Sequence, residues 1–208
     1  MSLADGRTWT PPLSNDKGFI RISFDYTALG RRGIHTGALP QEMQRIINIV
    51  LSRASNRAAE AFKTVALRET AEKYYVKQKD IRASVTLKRA YGAHNMGATI
   101  ISRGTRRILA DYIQLPKVNP GRKIDPYKFA GAVKRAGGLK KFRTAFFLHK
   151  NSHTVYIRSD GGNIERVTSP SIPQLMKNET TVFKAEKKAR EVFLKRLDYE
   201  LAHEWGIK

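Results

Sequence analysis

Apolar residues recur at three- and four-residue steps through the first half of the chain: Met43, Ile46, Ile47, Val50, Leu51, Ala54, Ala58, Ala61, Phe62 and Val65. A period of 3.6 places them on one stripe, so the spacing predicts a long amphipathic helix with Pro40 in its first turn, where a missing N–H costs nothing. Arg45, Arg53, Arg57 and Lys63 fall mostly off that stripe, giving the helix a basic outer side. Ahead of it, residues 19–26 alternate, with Ile20, Ile22, Phe24 and Tyr26 on one face, which predicts a half-buried strand. Helical character continues from Glu69 toward Tyr75, and Asp80 is the expected N-cap of a short second helix beginning at Ile81.

Between residues 84 and 167 the period changes. The runs SVTLKRA, ATIISRG, RILADYI, FAGAVKR, FRTAFFL, TVYIRSD and IERVT are short and β-prone, and Gly, Pro, Asn and Asp separate them. They predict one antiparallel sheet of four to six strands, with Pro116–Pro126 as a loop. In SPSIPQL two prolines exclude helix until Asn178, which is suited to cap a last amphipathic helix carrying Val182, Ala189, Val192, Phe193, Leu197, Leu201 and Trp205 on one face. The order strand, long helix, sheet, long helix makes the fold class α+β, with both helices on one sheet face. Residues 1–18 read as an extended arm with Trp9, Pro11 and Pro12, and residues 19–208 as a single domain.

Charge changes this picture from a fold to a partner. Of 208 residues, 39 are Lys or Arg and 18 are Asp or Glu, a net charge of +21 that calls for something anionic to neutralise it. Residues 77–150 alone hold eighteen Lys and Arg against Asp80, Asp111 and Asp125, so the surplus is a patch and not an even coat. Arg103, Arg106 and Arg107 flank one expected turn, Arg122 and Lys123 occupy the proline loop, and Lys134, Arg135, Lys140, Lys141 and Arg143 bracket Gly137 and Gly138. Cations on turns at sheet ends can follow a phosphate backbone or an acidic protein surface without reading sequence.

Catalytic chemistry finds little footing. The absence of cysteine removes disulfides, thiolate metal sites and thiol nucleophiles together. Asp25, Asp111, Asp125, Asp160 and Glu165 are not paired at helical spacing, His149 and His153 sit in a strand–turn context unsuited to a metal, and the glycine pairs lack nucleotide-loop spacing. No cofactor is expected. Tyr91, Tyr112, Tyr127, Phe142, Phe146, Phe147 and Tyr156 accompany the patch, and their alternation with polar residues favours core packing over base stacking. No apolar run approaches the roughly 20 residues a membrane span needs, and residues 1–12 contain no apolar signal core, so a soluble protein, intracellular at synthesis, is expected.

Two stretches together resemble the tailed-phage minor tail protein Z family. In residues 56–90 the step Tyr75, Val76, Lys77, Lys79, Asp80, Ile81, Arg82 follows an amphipathic helix, and in residues 169–201 Pro170, Ser171, Pro173 and Gln174 precede a terminal one. The resemblance implies a virion component that completes the head-proximal end of the tail, assembled in the host cytoplasm. It implies a homo-oligomeric ring with the symmetry of the tail tube, a hexamer being the expected count, next to tail-tube, terminator and neck or connector proteins. Subunit contact would fall to the arm with Trp9, Pro11 and Pro12 and to the C-terminal helix with Trp205, and the patch would face packaged double-stranded DNA or an acidic neighbour. The alternative is a sequence-nonspecific nucleic-acid-binding protein.

Overall fold

The computed structural model describes residues 18–23, 40–92, 97–108, 130–131, 133–137, 140–141, 145–147, 154–158 and 162–204. The long apolar stripe folds as helix α1, Gln41–Lys73, with Pro40 at the N-cap, one position earlier than expected. Buried along it are Ile47, Val50, Leu51, Ala54, Ala58, Phe62, Ala66 and Leu67. At 1.5 Å per residue its 33 residues extend about 50 Å. Such a length is held by packing, because propensity alone leaves helices marginal in water.

The packing partner is the C-terminal helix, here α4, Glu179–Glu204, which makes the most extensive contact in the molecule with α1. Ala185, Ala189 and Leu197 of α4 are buried on the side facing α1. Arg53 Nη1 lies 2.9 Å from both Glu200 Oε2 and Glu204 Oε1, and Lys184 Nζ lies 2.8 Å from Glu69 Oε2. Partners late in one helix match partners early in the other, so the two run antiparallel. At the turn where α1 ends and α4 begins, the Lys73 ammonium donates to Asn178 Oδ1 at 3.1 Å, to Thr181 Oγ1 at 3.0 Å and to Thr180 Oγ1.

After α1 the chain turns through Tyr74 and Val76, both 5% exposed, into α2, Gln78–Ser84. Lys77 is the N-cap, and Asp80, expected in that role, sits instead in the first turn. There its carboxylate complements the helix N-terminus and meets Arg107 Nη1 at 3.2 Å. Ile81, fully buried, anchors α2 to the core.

Strand β1 is Gly18–Ser23, β2 is Val85–Lys88 and β3 is Thr99–Gly104; they pair antiparallel in the order β1-β3-β2. The later strands are shorter: β4 (Arg107–Ile108), β5 (Ala130–Gly131), β6 (Lys140–Lys141), β7 (Ala145–Phe147), β8 (Val155–Arg158), β9 (Ile164–Arg166) and β10 (Thr168–Ser169). Every expected run thus supplies a strand, but the single sheet of four to six strands does not form among the described residues. Pairing is confined to the groups β1-β3-β2, β10-β4, β5-β6 and β7-β8-β9. The later strands are only two to four residues long, so each offers few ladder hydrogen bonds to a further strand. The mixed helix-and-strand class holds; the sheets are smaller than expected.

The prolines before the last helix were expected to exclude helix, yet α3 forms at Ile172–Met176. Pro173 falls in its first turn, where no backbone donor is needed, and Gln174 Oε1 accepts a hydrogen bond from the Ser171 N–H at 2.9 Å. Ile172, Pro173, Leu175 and Met176 are buried. Gly104 ends β3 beneath them, where a Cβ would stand 3.1 Å from Pro173 Cδ, so a larger residue there would push α3 away.

Two measurements check this account. Ile81→Ala should cost about 2–5 kcal/mol in denaturant unfolding, since it empties a closed site at the root of α2; a loss below 1 kcal/mol would mean that α2 is not anchored there. Glu69 is held below the ordinary carboxylate range by the hydrogen bond from Lys184, against an opposing desolvation, and with help from the charges of Lys184, Lys73 and Arg68. A depressed folded value stabilises above the unfolded pKa, roughly 4.3, and is lost as pH falls through the lower folded value. Glu69→Gln should therefore flatten the acid limb of a plot of melting temperature against pH.

Candidate basic interface

Arg107 from one of the basic clusters foreseen in the sequence, and Lys134 and Arg135 from another, attach to the segment at the end of α1. Arg107, after the β3–β4 turn, reaches Asp80 of α2. Lys134 bridges to Tyr74, and the Tyr75 N–H donates to Val133 O at 3.0 Å, which ties residues 133–134 to the segment leaving α1. Arg135 then donates from Nε to Ala71 O at 3.3 Å and lies over the Tyr75 ring, its guanidinium carbon 4.7 Å from the centroid. The stacking fixes the cation without neutralising it. An open cleft lined by Arg68, Ala71, Glu72, Gln78 and Arg135 marks this junction.

Lys77, Lys79 and Arg82 are exposed around α2, and Arg103, Arg106, Lys134 and Arg135 are exposed as well. Asp80 and Glu72 are the carboxylates at this junction, and other described carboxylates are paired along the helices. Glu60 holds Arg57 and Arg89, Glu69 holds Lys184, Glu72 holds Arg68, Glu191 holds Lys188, and Glu200 holds Arg53 and Arg196. The Glu200 hydrogen bond is the main reason the Arg53 pKa rises above its ordinary value. Two of these glutamates, Glu69 and Glu200, link the helix pair, and exposed cations remain around α2 and at residues 134 and 135.

The other foreseen residues divide into two sets. Lys140 and Lys141 form β6 against Gly131 and Ala130, with their side chains outside the described residues. Arg122, Lys123, Arg143, Trp9, Pro11, Pro12 and Trp205 lie wholly outside them. Among the aromatics, Phe146 and Tyr156 meet across β7 and β8 at 6.2 Å between centroids and are half-buried, not part of the core, and Tyr112, Tyr127, Phe142 and the Phe147 side chain lie outside the described residues. Tyr91 departs from the expectation of core packing: it is 76% exposed. Its alternation pattern misled because β2 ends at Lys88, so Tyr91 stands past the strand whose pleat would have turned it inward.

Sequence reasoning did not single out Phe183. It is 63% exposed on α4, one residue from Lys184, and nothing in a helical period marks an outward aromatic as more than noise. Among the described residues no group of three or more His, Asp or Glu is placed to hold a metal, and no helix is long and apolar enough to cross a membrane. Comparison with protein-family models, with curated proteins and with solved structures returned no match.

If the end of α1 receives a polyanion, Lys134→Glu with Arg135→Glu should weaken duplex DNA binding and reduce the salt slope of log K by about 2. An unchanged slope in a salt titration would remove both residues from the interface.

Proposed function

We propose that the chain is a structural virion protein of a tailed phage or phage-tail-like particle, acting in tail completion at the head-proximal end as a homo-oligomeric ring. The observation that carries the assembly part is the outward face of α4, where Phe183 stands 63% exposed near the exposed Lys187 and Arg190. A large bare aromatic ringed by charge is what a heterologous subunit contact uses as an anchor. The tail assignment is supported by the resemblance. Its two motif steps fold here into the pins that hold α2 and α3, with Val76, Ile81 and Pro173 buried.

On this reading the ring, a hexamer if it matches the tail tube, stacks against tail-tube or terminator and neck or connector proteins. The cationic end of α1 then faces packaged DNA or an acidic neighbour. A second reading, a sequence-nonspecific nucleic-acid-binding protein, is favoured by the convergence of Arg107 and Arg135 on the segment from Ala71 to Asp80. The two differ in mass and in salt response. The second predicts a persistent monomer or dimer whose DNA affinity falls steeply with salt.

Light scattering on the full chain, alone and with a tail-tube partner, should show a closed ring, and Phe183→Glu should return it to monomer with an unchanged melting temperature. A ring that survives the substitution would move the contact off α4. A monomer under every condition would overturn the tail-completion reading.

A further inference from the structure

Tyr91 is the most exposed of the described large hydrophobic side chains, yet the backbone on either side of it is hydrogen-bonded to side chains of α1. The Asn56 side chain pairs with both polar groups of Ala90, donating from Nδ2 to Ala90 O at 3.1 Å and accepting from Ala90 N at 2.8 Å. On the other side of the ring the Ser52 hydroxyl lies 3.0 Å from Gly92 O and 2.8 Å from Asn48 O. Ala90 is 5% exposed, and Gly92 takes φ +51°, a left-handed turn that redirects the chain directly after the tyrosine. Two side chains of α1 thus fix the main chain on either side of a ring that the fold leaves in water. Ordering a backbone costs conformational entropy, and a ligand that meets Tyr91 finds that ordering already complete.

Beside the ring runs a groove of about 730 Å³ lined by Lys63, Thr86, Leu87, Lys88, Arg89 and Tyr91. Arg89 Nη2 is held at 2.8 Å by Glu60, which leaves Lys63 and the exposed Lys88 as the cations along it. Its floor is β2, an edge of the β1-β3-β2 sheet, so half of the strand's backbone polar groups face away from β3. We propose that this groove binds a single-stranded nucleic acid segment, with a base stacked on Tyr91 and the adjoining phosphates on Lys63 and Lys88.

The choice of occupant follows from the ring. An acidic peptide adding to β2 would draw on the strand's backbone groups and on the two lysines, and would need no aromatic held in place. A duplex keeps its bases stacked on each other, so it would use the cations and leave Tyr91 idle. Only a strand with free base faces uses the platform and the charge together. The proposal shares with the second reading above the premise that the charge serves a polynucleotide, and it is independent of ring assembly.

The test is fluorescence anisotropy of a labelled oligothymidylate of about 12 nucleotides titrated with the full chain over a range of salt. Tyr91→Ala should weaken binding about tenfold, and Tyr91→Phe, which keeps the ring, should restore it. Lys63→Glu with Lys88→Glu should flatten the salt slope by about 1.4. Equal binding by Tyr91→Ala and the unaltered chain would overturn the proposal, as would loss of binding in Tyr91→Phe. Displacement of the oligonucleotide by an oligoglutamate, with the same dependence on Tyr91, would overturn it in favour of a protein partner. Light scattering on the Tyr91→Ala sample separates this result from the assembly reading. A lost ring with unchanged oligonucleotide binding would make Tyr91 a subunit contact and end the groove proposal.

Discussion

Two carboxylates buried between α1 and α4 set the constraint on which this fold depends. Glu69 is 5% exposed and Glu200 3%. Each must meet a cation, because an ionised carboxylate left alone in such a place costs several kcal/mol. Glu69 finds Lys184, and Glu200 finds Arg53 and Arg196. Pairs of this kind add little net stability, since desolvation offsets most of the attraction, and Arg53 is itself half exposed. Their effect is on register. The seam between them is built from Ala54, Ala58, Ala185 and Ala189 with Phe62 and Leu197, a surface smooth enough to slide. Moving α4 by one turn would keep much of the apolar contact but break the Glu69–Lys184 and Glu200–Arg53 pairs, leaving Glu69 with only Arg68 at 3.9 Å and Glu200 with Arg196 of its own helix.

The rest of the chain hangs from that register. Where α1 stops, Tyr74 and Val76 enter the main core and carry α2 with them. Where α4 starts, Lys73 gathers Asn178 and Thr181, so the end of one helix fixes the beginning of the other. α3 fills the space between, with Ile172, Leu175 and Met176 in the same core as Phe62 and Ile81. The arrangement also decides where charge goes. Glu72 and Asp80 are the acids among the cations around α2 and residues 133–135, too few to balance them, so a chain of net charge +21 shows its surplus to whatever it meets.

How far this was legible in the sequence depended on whether a rule needed one segment or two. The α1 stripe was plain because most apolar positions from Ile46 to Val65 recur at three- and four-residue steps within one segment. The β-prone runs were found for the same reason, but their grouping into separate small sheets was not, because partner choice depends on residues far apart in the chain. SPSIPQL misled by a narrower margin. Two prolines argue against a helix interior, while one proline in a first turn with Ser ahead and Gln behind argues for a helix start. At the candidate site, Arg107 and Arg135 could be named from composition, but their common attachment to residues 71–80 could not. Asn56 was invisible as a clamp, since its partner Ala90 lies 34 residues on.

The two exposed aromatics are not alternatives for one surface. Tyr91 is fixed through Ala90 to Asn56, and Phe183 adjoins Lys184, which is bound to Glu69. Along α1 those anchor points are thirteen residues apart, close to 20 Å at 1.5 Å per residue. They also belong to different neighbours of α1, the β2 strand in one case and α4 in the other. A contact seated on Phe183 and a strand lying across Tyr91 therefore start from separate places along α1. Because the same helix carries both, its rigidity sets the distance between them. A subunit held in an assembly through α4 would present the groove at a fixed place in every copy.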